Sequence, residues 1–122
     1  MSAVEAMGTI EEQEQELKRY CDEVHSGEET GVKYYLLKSL RLPSKCSPAS
    51  CDALLCPTAH SSGYPSRLFF AQQVSGPFGR NWNFSGRILA INWVAFSFTV
   101  APAGLSLEEI LKRHLTGLVQ AT

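Results

Sequence analysis

The sequence predicts an α+β fold, an antiparallel β-meander of about four strands packed with an N-terminal and a C-terminal helix. Three observations lead there. Thr9 with Glu12 and Ser106 with Glu109 each stand three residues apart at the head of an amphipathic run, the spacing at which hydroxyl and carboxylate satisfy each other's free amides. Between these runs lie apolar segments of strand length, joined by short connections rich in Pro, Gly and Ser, which favour antiparallel neighbours. And 122 residues that are 44% apolar suffice for one core, so residues 1–122 are read as a single domain.

Residues 1–8 carry no pattern and are expected to fray. A helix should start after Thr9, with Glu11, Glu12 and Glu14 at its positive end and Leu17, Tyr20, Cys21 and Val24 along one stripe, ending near His25–Gly27. A turn over 28–31 leads to a first strand at 32–40, rich in aromatic and aliphatic side chains. Pro43, Ser44, Ser47 and Pro48 close it. A second strand spans 51–56 and a third 67–74, separated by a turn-rich loop at 60–65. The stretch 79–100 holds both tryptophans and three of the six phenylalanines. Its first part reads as an irregular loop with a short strand at 87–90. Its second, 93–100, alternates Trp93, Ala95, Ser97 and Thr99 with Val94, Phe96, Phe98 and Val100, as a strand covered on both faces does. The last helix begins after Ser106 and turns Leu107, Ile110, Leu111, Leu115 and Leu118 inward, leaving His114 on its surface.

Net charge is −1 but unevenly placed: residues 1–30 hold nine acidic and two basic side chains, residues 31–122 three acidic and nine basic. The body is thus basic by six charges, which suits contact with the acidic N-terminal segment or with an acidic partner. Cys21, Cys46, Cys51 and Cys56 show neither paired Cys-x-x-Cys spacing nor a histidine pair in register, so no metal site or cofactor is assigned and the thiols are read as small apolar residues. Cys51 and Cys56 fall on opposite faces of their strand. No apolar run is long enough for a membrane span and no targeting or lipidation motif is present, so the expected location is cytoplasmic, without membrane contact.

Gly63-Tyr64-Pro65, then Asn81-Trp82-Asn83-Phe84, Gly86-Arg87-Ile88-Leu89, Trp93 and Leu105-Ser106-Leu107 follow the order of motifs in the ubiquitin-conjugating enzyme (UBC-like) superfamily. The chain resembles the divergent bacterial members found with ubiquitin-like conjugation systems, over nearly its whole length. In that family the corresponding motifs are a Tyr-Pro pair, His-Pro-Asn, a Gly-x-Ile-Cys-Leu catalytic turn, a tryptophan and a helix opening Leu-Ser/Thr-Leu. The departure is at the nucleophile: Leu89 stands where the family has its cysteine, and every cysteine here precedes Tyr64. A thioester needs a thiolate. The resemblance therefore implies a cytoplasmic pseudoenzyme that works in a heterodimer or other protein–protein contact, binding a ubiquitin-like protein, a catalytic conjugating-enzyme subunit or an activating enzyme. Asn83 matches the family's oxyanion-stabilising asparagine.

Candidate binding residues are Tyr34, Phe69, Arg80, Trp82, Phe84 and Arg87, with exposed members of Tyr34, Tyr35, Phe69 and Phe70 offering a sheet-face contact. Two alternatives accompany this reading. In one, Ser85, or else Ser97, forms an oxyester, with His60 as base and Asn83 beside it. In the other, Trp82, Phe84, Arg80 and Arg87 bind single-stranded nucleic acid by stacking and phosphate contact, a use that the acidic N-terminal segment opposes.

Overall fold

The computed structural model describes residues 8–58 and 63–120. The expectation of fraying over 1–7 and the candidate base His60 lie outside them. The chain runs α1 (Ile10–Leu17), β1 (Glu23–Glu29), β2 (Val32–Arg41), β3 (Ser50–Cys56), β4 (Arg67–Phe70), β5 (Trp82–Ile88), β6 (Ile91–Phe96) and α2 (Leu107–Gly117). The architecture is α+β, as expected, but with a six-stranded sheet instead of about four strands. Its order is β1-β2-β3-β4-β6-β5, antiparallel at every step.

The N-terminal helix is shorter than predicted. It begins as predicted, the Glu12 amide donating to Thr9 Oγ1 at 3.1 Å, yet ends at Leu17 and not near His25. Leu17 and Cys21 are buried and Tyr20 half-buried, so the apolar stripe is real. Beyond Leu17 the chain tightens into i→i−3 turns and then pairs Glu23–Glu29 with β2 in unbroken register. Glu23 faces Lys38 and Glu28 faces Lys33, opposite charges that favour the ladder. Thr30 and Gly31, with φ of 49° and 78°, make the tight link between these strands, the conformation that two-residue hairpins prefer.

Along the stretch 79–89, read as loop followed by a short strand, most residues form β5, the outer strand of the β5–β6 hairpin. β6 is shorter than expected, ending at Phe96, though its alternation holds: Trp93 and Ala95 join one core cluster and Phe96 the other. β4 also stops early, at Phe70. α2 follows the prediction, with Ser106 and Glu109 forming the capping box and all five named apolar residues buried. His114 is the exception: it is buried, not on the surface.

Two cores lie on opposite faces of the sheet. On one, Leu17, Leu111, Leu115 and Leu118 from the helices pack on Tyr35, Leu37, Leu55, Leu68, Phe70 and Phe96. Gln13 ties the helices together, its side-chain oxygen accepting from the Leu107 amide at 3.0 Å. The other face buries Tyr34, Leu54, Cys56, Phe69, Ile88, Trp93 and Ala95, all from strands. Sheet twist explains how a face without a helix stays dry, because the outermost hairpins meet across it. The Leu89 amide, at the β5–β6 tip, donates to Glu29 Oε1 on β1 at 3.0 Å. Leu89 also packs so closely on Gly27 that an added Cβ would lie 3.0 Å from Leu89 Cδ1.

Candidate functional site

The polar groups that sequence reading spread over the chain converge where β4 begins. Arg67 heads a four-residue strand that is buried throughout, and its guanidinium lies 3.9 Å from the centre of the Tyr64 ring, with Phe84 at 5.5 Å and Phe69 at 6.0 Å. Arg67 Nη2 donates to the Asn83 side-chain oxygen. The Asn83 amide nitrogen donates to the Tyr64 hydroxyl at 2.6 Å, and that hydroxyl lies 3.2 Å from Ser97 Oγ. Asn83 and the Tyr-Pro tyrosine, 19 residues apart in sequence, are thus direct partners.

A break in register makes the meeting possible. Trp82 pairs with Phe96 but Phe84 pairs with Ala95, so β5 uses two steps where β6 uses one and Asn83 is the extra residue. Such a bulge frees a side chain from the alternation and re-aims it. Trp82 consequently packs with Phe70 and Phe96 on the helix side, at ring distances of 5.9 and 5.5 Å. Phe84 joins Phe69 on the opposite side, 5.2 Å away. Gly86 then accommodates the Phe84 ring, since a Cβ there would lie 2.8 Å from Phe84 Cζ.

The electrostatics follow from burial. Desolvation pulls the Arg67 guanidinium below its ordinary pKa, with Tyr64 pushing it back up, and an arginine remains charged regardless. Tyr64 is lowered by its hydrogen bonds with Ser97 and Asn83 and by the Arg67 charge. Behind Arg67, the buried Ser66 hydroxyl donates to the Val100 carbonyl at 2.6 Å and lies 3.0 Å from His114 Nε2. With that hydroxyl proton committed to Val100, His114 Nε2–H donates to Ser66. Burial, seconded by the Arg67 charge, pushes His114 down to about 4. Ser66 and His114 are a closed structural pair, too enclosed to meet a substrate.

The other candidates scatter. Arg80 caps α2: Nε donates to the Gly117 carbonyl at 2.7 Å and Nη2 to that of Gln120, where a cation suits the negative helix end. Trp82 and Phe84 are half-buried on opposite faces, so they do not form one stacking platform with Arg80. Ser85 and Arg87 are exposed on the sheet edge. Tyr34, Tyr35, Phe69 and Phe70 are all buried, which leaves no exposed aromatic among the four for a sheet-face contact. Leu89 occupies the hairpin tip with φ of 50°, followed by Ala90 at 66°. Each such residue costs about 1–2 kcal/mol, held in place here by the packing on Gly27 and the Glu29 bond. All four cysteines are free, and burial raises each thiol pKa, Cys51 to about 11.

Sequence reading passed over Arg67. Its signal was an arginine directly before Leu68, Phe69 and Phe70, a charge in a strand apolar enough to be buried on both faces. No family model, no curated protein and no solved structure matches this chain. Among the described residues, no helix is long and apolar enough to cross a membrane.

Proposed function

We propose that the chain is a non-catalytic ubiquitin-conjugating-enzyme-like subunit that binds a ubiquitin-like protein, a catalytic conjugating-enzyme partner or both. The observation that carries this reading is the state of the nucleophile position. Leu89 is a hairpin-tip residue whose side chain packs on Gly27 and whose amide is held by Glu29, and no cysteine has surroundings that favour a thiolate. The pairing of Asn83 with Tyr64, both on motif positions, supports the resemblance. The β5–β6 hairpin departs from it, since the family's extended active-site segment is here a paired strand.

The test is reconstitution with a ubiquitin-like protein and its activating enzyme. A stable complex on gel filtration without any covalent adduct is the expected result; an adduct on this chain in the intact mass sinks the reading. One observation favours a second reading, an oxyester on serine, at Ser97 rather than Ser85. Ser97 has a titratable hydroxyl 3.2 Å away in Tyr64, whereas Ser85 makes no side-chain hydrogen bond among the described residues. An adduct lost in Ser97→Ala and kept in Ser85→Ala is its required outcome.

A further inference from the structure

We propose that Arg67 is the floor of a carboxylate-binding site formed with Asn83, Tyr64 and Ser97. The starting point is a cation without a counter-charge among the described residues. Arg67 is 4% exposed, and its Nε is sealed from solvent with no hydrogen-bond partner among the described residues. The ion pairs among those residues involve Arg19, His25, Lys38 and Arg41, none of them Arg67. A guanidinium offers five N–H groups, and here a neutral amide oxygen takes one of them. Three aromatic rings lie against the guanidinium. Rings stabilise a cation but accept no strong hydrogen bond, so Nε remains unmatched among the described residues.

The ligand class follows from the shape and charge of what is missing. Nε and Nη2 form the side-on fork of the guanidinium, which a planar carboxylate meets with two parallel hydrogen bonds. Arg67 is the one charged member of the hydrogen-bonded cluster, so a monoanion balances it. Asn83 is the movable part: it is exposed, and as the bulge residue it lacks the cross-strand pairing that holds its neighbours. When its side chain turns away from Nη2, one carboxylate oxygen accepts from Nη2 and the other from Nε. The Tyr64 and Ser97 hydroxyls stand at the open side of the cluster as further donors. The carboxylate can come from a free small acid or from the C-terminal end of a polypeptide, and these sources are separated by the test.

The probes are sodium acetate, glycylglycine and glycylglycine amide, each against sodium chloride at equal ionic strength. Binding is read from the Arg67 Nε–H resonance and from Trp82 fluorescence. The expected result is a saturable response to acetate or glycylglycine that chloride and the amide do not produce, weakened roughly tenfold or more in Arg67→Met. Tighter binding of glycylglycine than of acetate assigns the site to chain ends; equal binding assigns it to small acids. The proposal is overturned when carboxylates act no differently from chloride, or when a folded Arg67→Met, checked by circular dichroism, keeps the wild-type response. Should Arg67→Met not fold, the wild-type comparison of acetate with chloride and of glycylglycine with its amide decides alone. None of this depends on the conjugation reading: an adduct on the chain would sink that reading and leave this one standing.

Discussion

Mild acid should destabilise this protein through His114, by an amount that the structure sets. His114 is 2% exposed, packs edge-on to Phe98 at 6.1 Å and donates to Ser66. A proton added to its ring would be buried without a counter-ion and beside the Arg67 charge, which is why the folded state holds the ring near 4 instead of 6.5. Between those values the unfolded chain binds the proton and the folded chain does not, so stability is complete above pH 6.5, falls as pH drops, and levels off below 4. At 1.36 kcal/mol for each pH unit, the gap of about 2.5 amounts to about 3 kcal/mol, a large part of the roughly 5–15 kcal/mol of a typical domain. Asp52 does not blur this window. Its carboxylate is lowered by the Ser39 amide and Lys38, so its contribution is lost only below its ordinary 3.8. The assay is urea unfolding at intervals from pH 7.5 to 4 in wild type and His114→Gln, with the wild-type His114 resonance followed in parallel. The slope should be present in wild type and largely absent in the variant. Titration of His114 near 6.5 in the folded protein, or an undiminished slope in His114→Gln, would refute the reasoning.

Three substitutions test other parts of the structure. Ala90→Gly removes a side chain from a positive-φ position and should stabilise by about 0.5–1 kcal/mol, the relief of backbone strain less the entropy that glycine adds to the unfolded chain; a lowered melting temperature would contradict the hairpin geometry. Arg80→Ala deprives the end of α2 of two side-chain donors and should cost about 1–2 kcal/mol in chemical denaturation, with Arg80→Lys recovering part of it; no loss would make the cap incidental. Leu89→Ala strips the contact with Gly27 but leaves the Glu29 bond, which runs to the backbone. It should cost about 1–2 kcal/mol in stability and leave partner binding on gel filtration unchanged, whereas a lost complex in a folded variant would place Leu89 in the interface.

Both helix starts were legible because a capping box is a local device whose partners stand three residues apart. The apolar alternation around Trp93 was legible for the same reason. What escaped was long-range. β1 is polar and satisfies its ladder with charges on β2, so Val24 fits a helical stripe as well as a strand. The β5–β6 hairpin turns on Leu89 and Ala90, neither of which signals a turn, and contact with β1, distant in sequence, helps to hold that tip. His114 shares the late-helix position of Lys112 and Arg113, and nothing near it in sequence marks the buried Ser66 that receives its proton. Asn83 was singled out by its motif, but Arg67 and Ser97 join it only through the fold.

Asn83 also sets a parity. As the one residue by which β5 exceeds its partner, it divides the strand into two segments whose side chains alternate out of phase. Deleting it would make Trp82 and Phe84 consecutive, paired with Phe96 and Ala95 as they are now, and simple alternation would keep the two rings on the opposite faces they already occupy. What the deletion removes is the side chain that joins Arg67 to Tyr64, so it disturbs one hydrogen-bonded cluster and leaves the contents of both cores in place. Residue identity at this point is therefore set by the cluster that Asn83 joins and not by the alternation of the strand.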